Sequence, residues 1–311
     1  CSPSMRRLLF GLFVIFLMMP SVNALPAVDI SATQGVLGGY SLDLSGNMTD
    51  GSAGGSMADA PSIAEVYTAT WCTNCVDAEH ALMDVVDNED VTILTHHRFI
   101  SETEDPFGTQ AGDDRWNEFY GDASNASVGM KRAPPTIIFH GNQVKVGSVA
   151  DGASLEADYT AMLDATHEYT NSGSNSEFTW TGNNSSGVIV WSMDVAGFPE
   201  TLIWTHRLMI VEHSAYFPEG SNGLENYEDV VREVVDLEAA IQDNGLKVGG
   251  SVELQLPAAW DGDDLSLVLI HEWVRPADLE SEPKEEENGL PGFLAPLGLI
   301  ALGAAAMARR D

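Results

Sequence analysis

Cys72 and Cys75 lie three positions apart in the stretch "ATWCTNCVDA", residues 69–78, of a 311-residue chain with one other cysteine, Cys1. The stretch follows a short apolar, β-rich run, "IAEVYT". After it, Ala78, Ala81, Leu82, Val85 and Val86 recur at helical spacing, which predicts a helix from about Cys72 to Val86. The pair therefore falls where a strand turns into a helix. Unpaired backbone N–H groups and the helix dipole at that point stabilise a thiolate on the first cysteine. The second, one turn on, is placed to resolve a mixed disulfide. Cys72 is read as the nucleophile and Cys75 as the resolving thiol.

Two other chemistries use the same residues. A closed structural zinc site needs four ligands, so His80, His96, His97 or His140 would have to join the cysteines. His96 and His97 end a strand and point to opposite faces, which makes a shared ion difficult. A Cys/His metal-handling protein stays as an alternative. An inert staple across two residues closes almost no loop and stabilises little. A non-enzymatic surface binding protein is the alternative from another class, although a scaffold has no need of both thiols.

Trp71-Cys72-Thr73-Asn74-Cys75 after a strand, "APPTIIF" at 133–139 and "QVKVGS" at 143–148 together resemble the thioredoxin superfamily, over roughly residues 63–169. "EVYTATWCTNC" with "DPF" at 105–107 is similar to a secreted branch of it. The resemblance implies an α/β thioredoxin-like domain over 62–170 and thiol–disulfide oxidoreductase activity on protein clients. It further implies a redox-active Cys72–Cys75 disulfide in place of any bound cofactor. Pro135 would be the cis-proline shaping a substrate groove with Pro134 and Thr136, and Trp71 would cover the site.

Three positions depart from the family pattern. Val66 stands where the family carries a buried Asp, and Glu65 faces the other side of the strand, so proton transfer needs another group or solvent. Pro134 has no N–H to offer a bound peptide. Thr73-Asn74 contains no His, so the helix end alone sets the Cys72 thiolate, at a pKa of roughly 6.5 to 8. That range favours a reductase or isomerase poised at about −270 to −180 mV over a strong oxidant.

Positioning this pair requires the element order β-α-β-(insertion)-β-β-α, with Gly141-Asn142 as a hairpin turn and Trp116, Phe119 and Tyr120 as core. His80 is read as solvated, and Arg98 as paired with an acid. Residues 25–61, rich in Gly, Ser and Ala, read as a flexible spacer. "NSGSNS" at 171–176 reads as a linker. Residues 177–276 carry β-rich runs between turn residues, which predicts an all-β sandwich domain. "YEDVVREVVDLEAA" fits either period. This region resembles a β-domain that some surface proteins join to a thioredoxin-like domain, with Arg232 in its strand motif. His206, Glu212, His213, His271 and Glu272 are scattered over its strands.

The net charge of −33 excludes nucleic acid and anionic membrane surfaces as partners of a basic patch. Residues 1–24, with Arg6, Arg7, a twelve-residue apolar run and Val22 and Ala24 before the cut, read as a signal peptide. An acidic linker over 277–290 leads to 291–311, where Pro291-Gly292-Phe293, a short apolar stretch and Arg309-Arg310 resemble the archaeal PGF-CTERM sorting tail. The expectation is an exported, membrane-anchored protein facing outside, recharged by a membrane-embedded electron donor. Cell fractionation should recover it with the membrane and without Met5; full-length protein in the cytosol would contradict this.

Overall fold

The computed structural model describes residues 24–99, 105–165, 169 and 173–276. Of the expected signal peptide (1–24) all but Ala24, and the whole of the acidic linker (277–290) and anchor (291–311), lie outside the described residues. Strand dominates. The elements are β1 (Val28–Asp29), β2 (Gln34–Asp43), β3 (Asp50–Ser56), β4 (Ser62–Thr68), α1 (Thr73–Val86), β5 (Val91–His97), α2 (Gln110–Phe119) and α3 (Gly121–Val128). They continue with β6 (Thr136–Phe139), β7 (Gln143–Val146), α4 (Leu155–Leu163), β8 (Asn175–Gly182), β9 (Ser186–Asp194), β10 (Ile203–Tyr216) and β11 (Asn226–Asp236). The last three are β12 (Ala240–Gln242), β13 (Lys247–Gln255) and β14 (Leu265–Val274).

These strands form two sheets. One has nine strands in the order β1-β7-β6-β4-β5-β11-β10-β14-β2, and the other five in the order β12-β13-β9-β8-β3. The expectation of an α/β thioredoxin-like domain followed by a separate sandwich is thereby corrected. β4 to β7 do not make a sheet of their own. β11 from the second region pairs in parallel with β5 at Val230↔Thr95, and β10, β14 and β2 extend the sheet further. The physical reason is the edge of β5: an exposed row of backbone donors and acceptors invites another strand, and periodicity cannot say which one arrives. The segment 226–236, ambiguous in sequence, is that strand.

The flexible spacer is also corrected, because 25–61 contributes β1, β2 and β3. Its glycines serve close packing. A Cβ on Gly39 would stand 2.6 Å from the Leu269 carbonyl, and one on Gly35 would stand 2.8 Å from the Trp273 ring. Val36, Leu37, Leu44 and Met57 of the same segment are buried.

Each face of the large sheet has its own cover. Ala64 and Val66 of β4 pack with Ala81, Leu82 and Val86 of α1 and Tyr159 and Met162 of α4. The alternate residue Tyr67 packs with Trp116, Phe119 and Tyr120, as the period of two requires. At the other end, Phe178, Trp180, Ile189 and Trp191 of the five-stranded sheet meet Leu208, Ile210, Leu267 and Trp273, which is sandwich packing. β14 is buried on both faces, which is why "LSLVLI" reads as one apolar run. The β6–β7 hairpin turns through His140, Gly141 and Asn142, and its positive-φ pair is His140 and Gly141, one position before the expected Gly141-Asn142 turn. Among the described residues no helix is long and apolar enough to cross a membrane.

Inside the sandwich, His206 Nδ1 lies 2.8 Å from His271 Nδ1, and His271 Nε2 lies 2.6 Å from Ser176 Oγ. Burial holds His206 down to about 4 and His271 well below the ordinary value of 6.5. Between pH 6.5 and 4 the unfolded chain therefore takes up protons that the folded chain refuses, so stability falls as pH drops through that window. His206 alone accounts for about 3 kcal/mol of that loss. Urea midpoints measured from pH 7 to 4 should decline, and His206→Gln should flatten the decline. An unchanged slope in the variant would refute the assignment.

Candidate functional site

β4 delivers the chain to Ala69-Thr70-Trp71, and Cys72 occupies the N-cap position of α1 in an extended conformation. Cys72 and Cys75 are joined in a disulfide, with Cα atoms 5.4 Å apart. Both cysteines are buried, Cys75 fully and Cys72 with 7% exposure, so Cys72 is the nearer of the two to the surface. The first turn of α1 holds no acidic residue, which leaves the positive end of its dipole unopposed at the sulfurs.

The loop before the disulfide is tied at several points. Arg98 N–H donates to the Thr68 carbonyl at 2.9 Å, and Cys72 N–H to the Ala69 carbonyl at 2.9 Å. Thr70 N–H donates to Asp105 Oδ2 at 2.8 Å. The Thr70 carbonyl accepts from the N–H of Asn222, in the loop before β11, at 3.0 Å. Asp105 also takes His97 Nδ1 at 2.9 Å and Phe107 N–H at 3.1 Å. Burial pushes its carboxyl up, but His97 and the two backbone donors outweigh burial and hold it below the usual range. Gly220 packs here because a Cβ would collide with the Tyr227 hydroxyl and stand 3.1 Å from the Thr70 carbonyl.

The residues expected at the site are placed as follows. Trp71 packs on the disulfide, with the Arg98 guanidinium 5.3 Å from its ring centroid. The Pro134–Pro135 peptide is cis. Thr136 stands opposite Tyr67 in the β4–β6 ladder, and its hydroxyl donates to the Ala133 carbonyl at 2.7 Å. Pro134 and Pro135 thus lead into β6, which starts at Thr136 and lies beside β4, the strand that runs toward the disulfide. His80 is exposed. His96 and His97 do point to opposite faces, one toward Glu65 and the other toward Asp105.

Among the described residues no three His, Cys, Asp or Glu side chains are grouped to hold a metal ion. The scattered strand residues have separate partners: Glu212 pairs with Arg232, His213 with Asp229, and Glu272 with Arg115 and Arg207. Asp105, Glu79, Asn222 and Tyr227 were not read as site residues from sequence. "DPF" marked Asp105 without a role, and Glu79 follows Cys75 by one helical turn. Asn222 and Tyr227 gave no local signal.

No family model matches the chain, and no curated protein matches it. Among solved structures it is similar to HBP35 of Porphyromonas gingivalis, with 13% identity and a TM-score of 0.48, over 67% of this chain and 68% of that one. It is also similar to a structural-genomics target from Agrobacterium tumefaciens, with 14% identity and a TM-score of 0.37, over 62% and 78% of the two chains.

Because Asp105 satisfies two buried backbone donors and His97, Asp105→Ala should cost about 2–3 kcal/mol in urea unfolding. It should also speed reduction of the Cys72–Cys75 disulfide by dithiothreitol, since the loop loses an anchor. Asp105→Asn, which keeps one acceptor oxygen, should fall between. Wild-type stability and reduction rate in both variants would show that the loop is held by other means.

Proposed function

We propose that this protein is a thiol–disulfide oxidoreductase acting on protein disulfides outside the cytoplasm. The observation that carries the reading is the Cys72–Cys75 disulfide at the start of α1, with Cys72 the less deeply buried of the two. The resemblance of residues 71–75 and 133–139 to thioredoxin-superfamily motifs supports it, and the signal-like and PGF-like ends support export and anchoring.

In the reducing direction, the Cys72 thiolate attacks one sulfur of a client disulfide and the other leaves as a client thiolate. Cys75, as thiolate, then attacks Cys72 Sγ, releasing the second client thiolate and closing the Cys72–Cys75 disulfide. The client gains two electrons and the pair loses two. A reductant restores them, and for an exported protein that is a membrane-embedded electron donor. Trp71 covers the sulfurs, and Pro134, Pro135 and Thr136 would line the client groove. No cofactor other than the cysteine pair is needed.

Insulin disulfide reduction tests the proposal. Cys72→Ser should abolish turnover, and Cys75→Ser should accumulate mixed disulfides visible by mass spectrometry. Wild-type rates in both variants, or no turnover in the reduced wild type, would leave a binding protein as the better reading.

A further inference from the structure

Transfer of electrons through this pair moves a proton at Cys75, which is fully buried, so a neighbouring side chain has to accept it. The strand position that faces α1 is Val66, and it cannot help. Three nearby carboxylates could act as the base, and their environments separate them. Glu65 lies on the opposite face of β4, in contact with Arg115, His96 and Tyr120, and is held ionised. Asp105 is occupied by His97 and two backbone N–H groups. A carboxylate so stabilised is a poor proton acceptor at neutral pH.

Glu79 differs from both. It follows Cys75 by four residues in α1, so the two side chains share one helix face at neighbouring positions. Its Oε1 accepts from the hydroxyl of Thr68, the last residue of β4. It also borders a cavity of about 130 Å³, with His80, Leu82, Met83, His97 and Tyr227 among the walls. That volume has room for several waters; the walls are mostly apolar, and Glu79, His80, His97, Tyr227, Glu228 and Asp229 are among the polar groups available to hold them.

Resting on the dithiol reading above, we propose that Glu79 is the proton acceptor and donor for Cys75, and that it exchanges protons with solvent through this cavity. When Cys75 attacks Cys72 Sγ, its proton passes to the Glu79 carboxylate as the new disulfide forms. When the disulfide is reduced, the protonated carboxyl returns a proton to the Cys75 thiolate. Each two-electron reduction of the pair thus takes up one proton through Glu79, at Cys75, and leaves Cys72 as the thiolate that attacks the next client.

The charged and titratable groups that face Glu79 are His80 on its own helix, His97 from β5, Tyr159 from α4, and Tyr227, Glu228 and Asp229 from β11. Burial raises its carboxyl, and the Thr68 hydroxyl, His97 and His80 only partly offset that, so it stays above the ordinary range. That places it nearer the pH at which a general base works best. Tyr227, pushed up to about 12 mainly by burial, does not compete for the role.

The test separates this role from the oxidoreductase reading. With Cys72→Ser, Cys75 is the sole thiol near the site, and its pKa is read from ultraviolet thiolate absorbance without any turnover. Adding Glu79→Gln removes a neighbouring negative charge and should lower that pKa by about one pH unit or more. In single-turnover resolution of a Cys72–client disulfide, Glu79→Gln should slow the step about 100-fold and erase its acid limb. Thr68→Val, which leaves the carboxyl in place but removes the hydroxyl favouring its charged form, should shift that limb to higher pH. The Thr68 variant decides the matter if Glu79→Gln loses its near-ultraviolet circular dichroism. An unmoved Cys75 pKa together with an unmoved limb overturns the role of Glu79 even if insulin is reduced normally. Absence of insulin reduction by the wild type, with the Cys75 pKa shifted as expected, overturns only the enzyme reading.

Discussion

The Arg115 guanidinium, carried on α2, lies between the carboxylates of Glu65 on β4 and Glu272 on β14, all three buried. Arg207 on β10 pairs with the same Glu272 and reaches outward to Asp236 and Glu118. The two guanidinium groups also sit on the Phe119 ring, each 5.3 Å from its centroid. Two buried positive charges face two buried negative ones, so the cluster is close to neutral. Attraction at contact distance is about 5 kcal/mol per pair at an effective dielectric of 20, and desolvating four ions costs several kcal/mol each. The net gain over apolar packing is therefore small. Its larger effect falls on alternatives: any packing that separates one member leaves a buried, unpaired charge and costs several kcal/mol. That condition joins β4 and α2 to β10 and β14, so the two regions that sequence separates at 171–176 fold against each other.

The same cluster decides the electrostatics around the disulfide. Burial raises the Glu65 carboxyl, but Arg115, His96 and Tyr120 together hold it down to about 2. Burial keeps His96 below its ordinary value despite Glu65 beside it. The α2 side of β4 is thus locked in one ionisation state through the neutral pH range. On the α1 side Asp105 is also held ionised, and Glu79 alone of these three carboxyls is raised. Alternation of side chains along one strand, and one turn of helix, are enough to separate groups with fixed charge from a group that can change it.

What was legible in the sequence was local. The cysteine pair, the helix from Thr73 to Val86, the hairpin at His140-Gly141 and the aromatic core of Trp116, Phe119 and Tyr120 depend on neighbours within a few positions. What was illegible depended on distance or on shape. Glycine in 34–56 read as flexibility because composition cannot show that Leu269 and Trp273 press on those positions. Glu272 and His271 looked scattered because their partners, Arg115 and Ser176, come from elements far away in sequence. The pairing of β11 with β5 involves a single bridge in register and leaves no trace in the periodicity of either strand. Asp105 was visible as a motif, yet its role as acceptor for Thr70 N–H appears only once the insertion folds back over the loop.

Rigidity around the disulfide follows from where the backbone bonds go. Thr68 is held by the Arg98 N–H, Thr70 by Asp105 on one side and Asn222 on the other, and Cys72 by the Ala69 carbonyl. Anchors therefore come from Arg98 after β5, from the insertion and from the loop before β11, so both regions hold Thr70. When the sulfur–sulfur bond opens or closes, those bonds need not change, and the rearrangement is confined to the sulfur atoms and the protons they exchange. For the proposed exchange, a loop held this way means little energy spent on reorganisation between the disulfide and dithiol forms. The second region is then part of the surroundings of the disulfide and not an appendage to them: Asn222 and Gly220 touch the loop directly, and Tyr227 fills the space beside it.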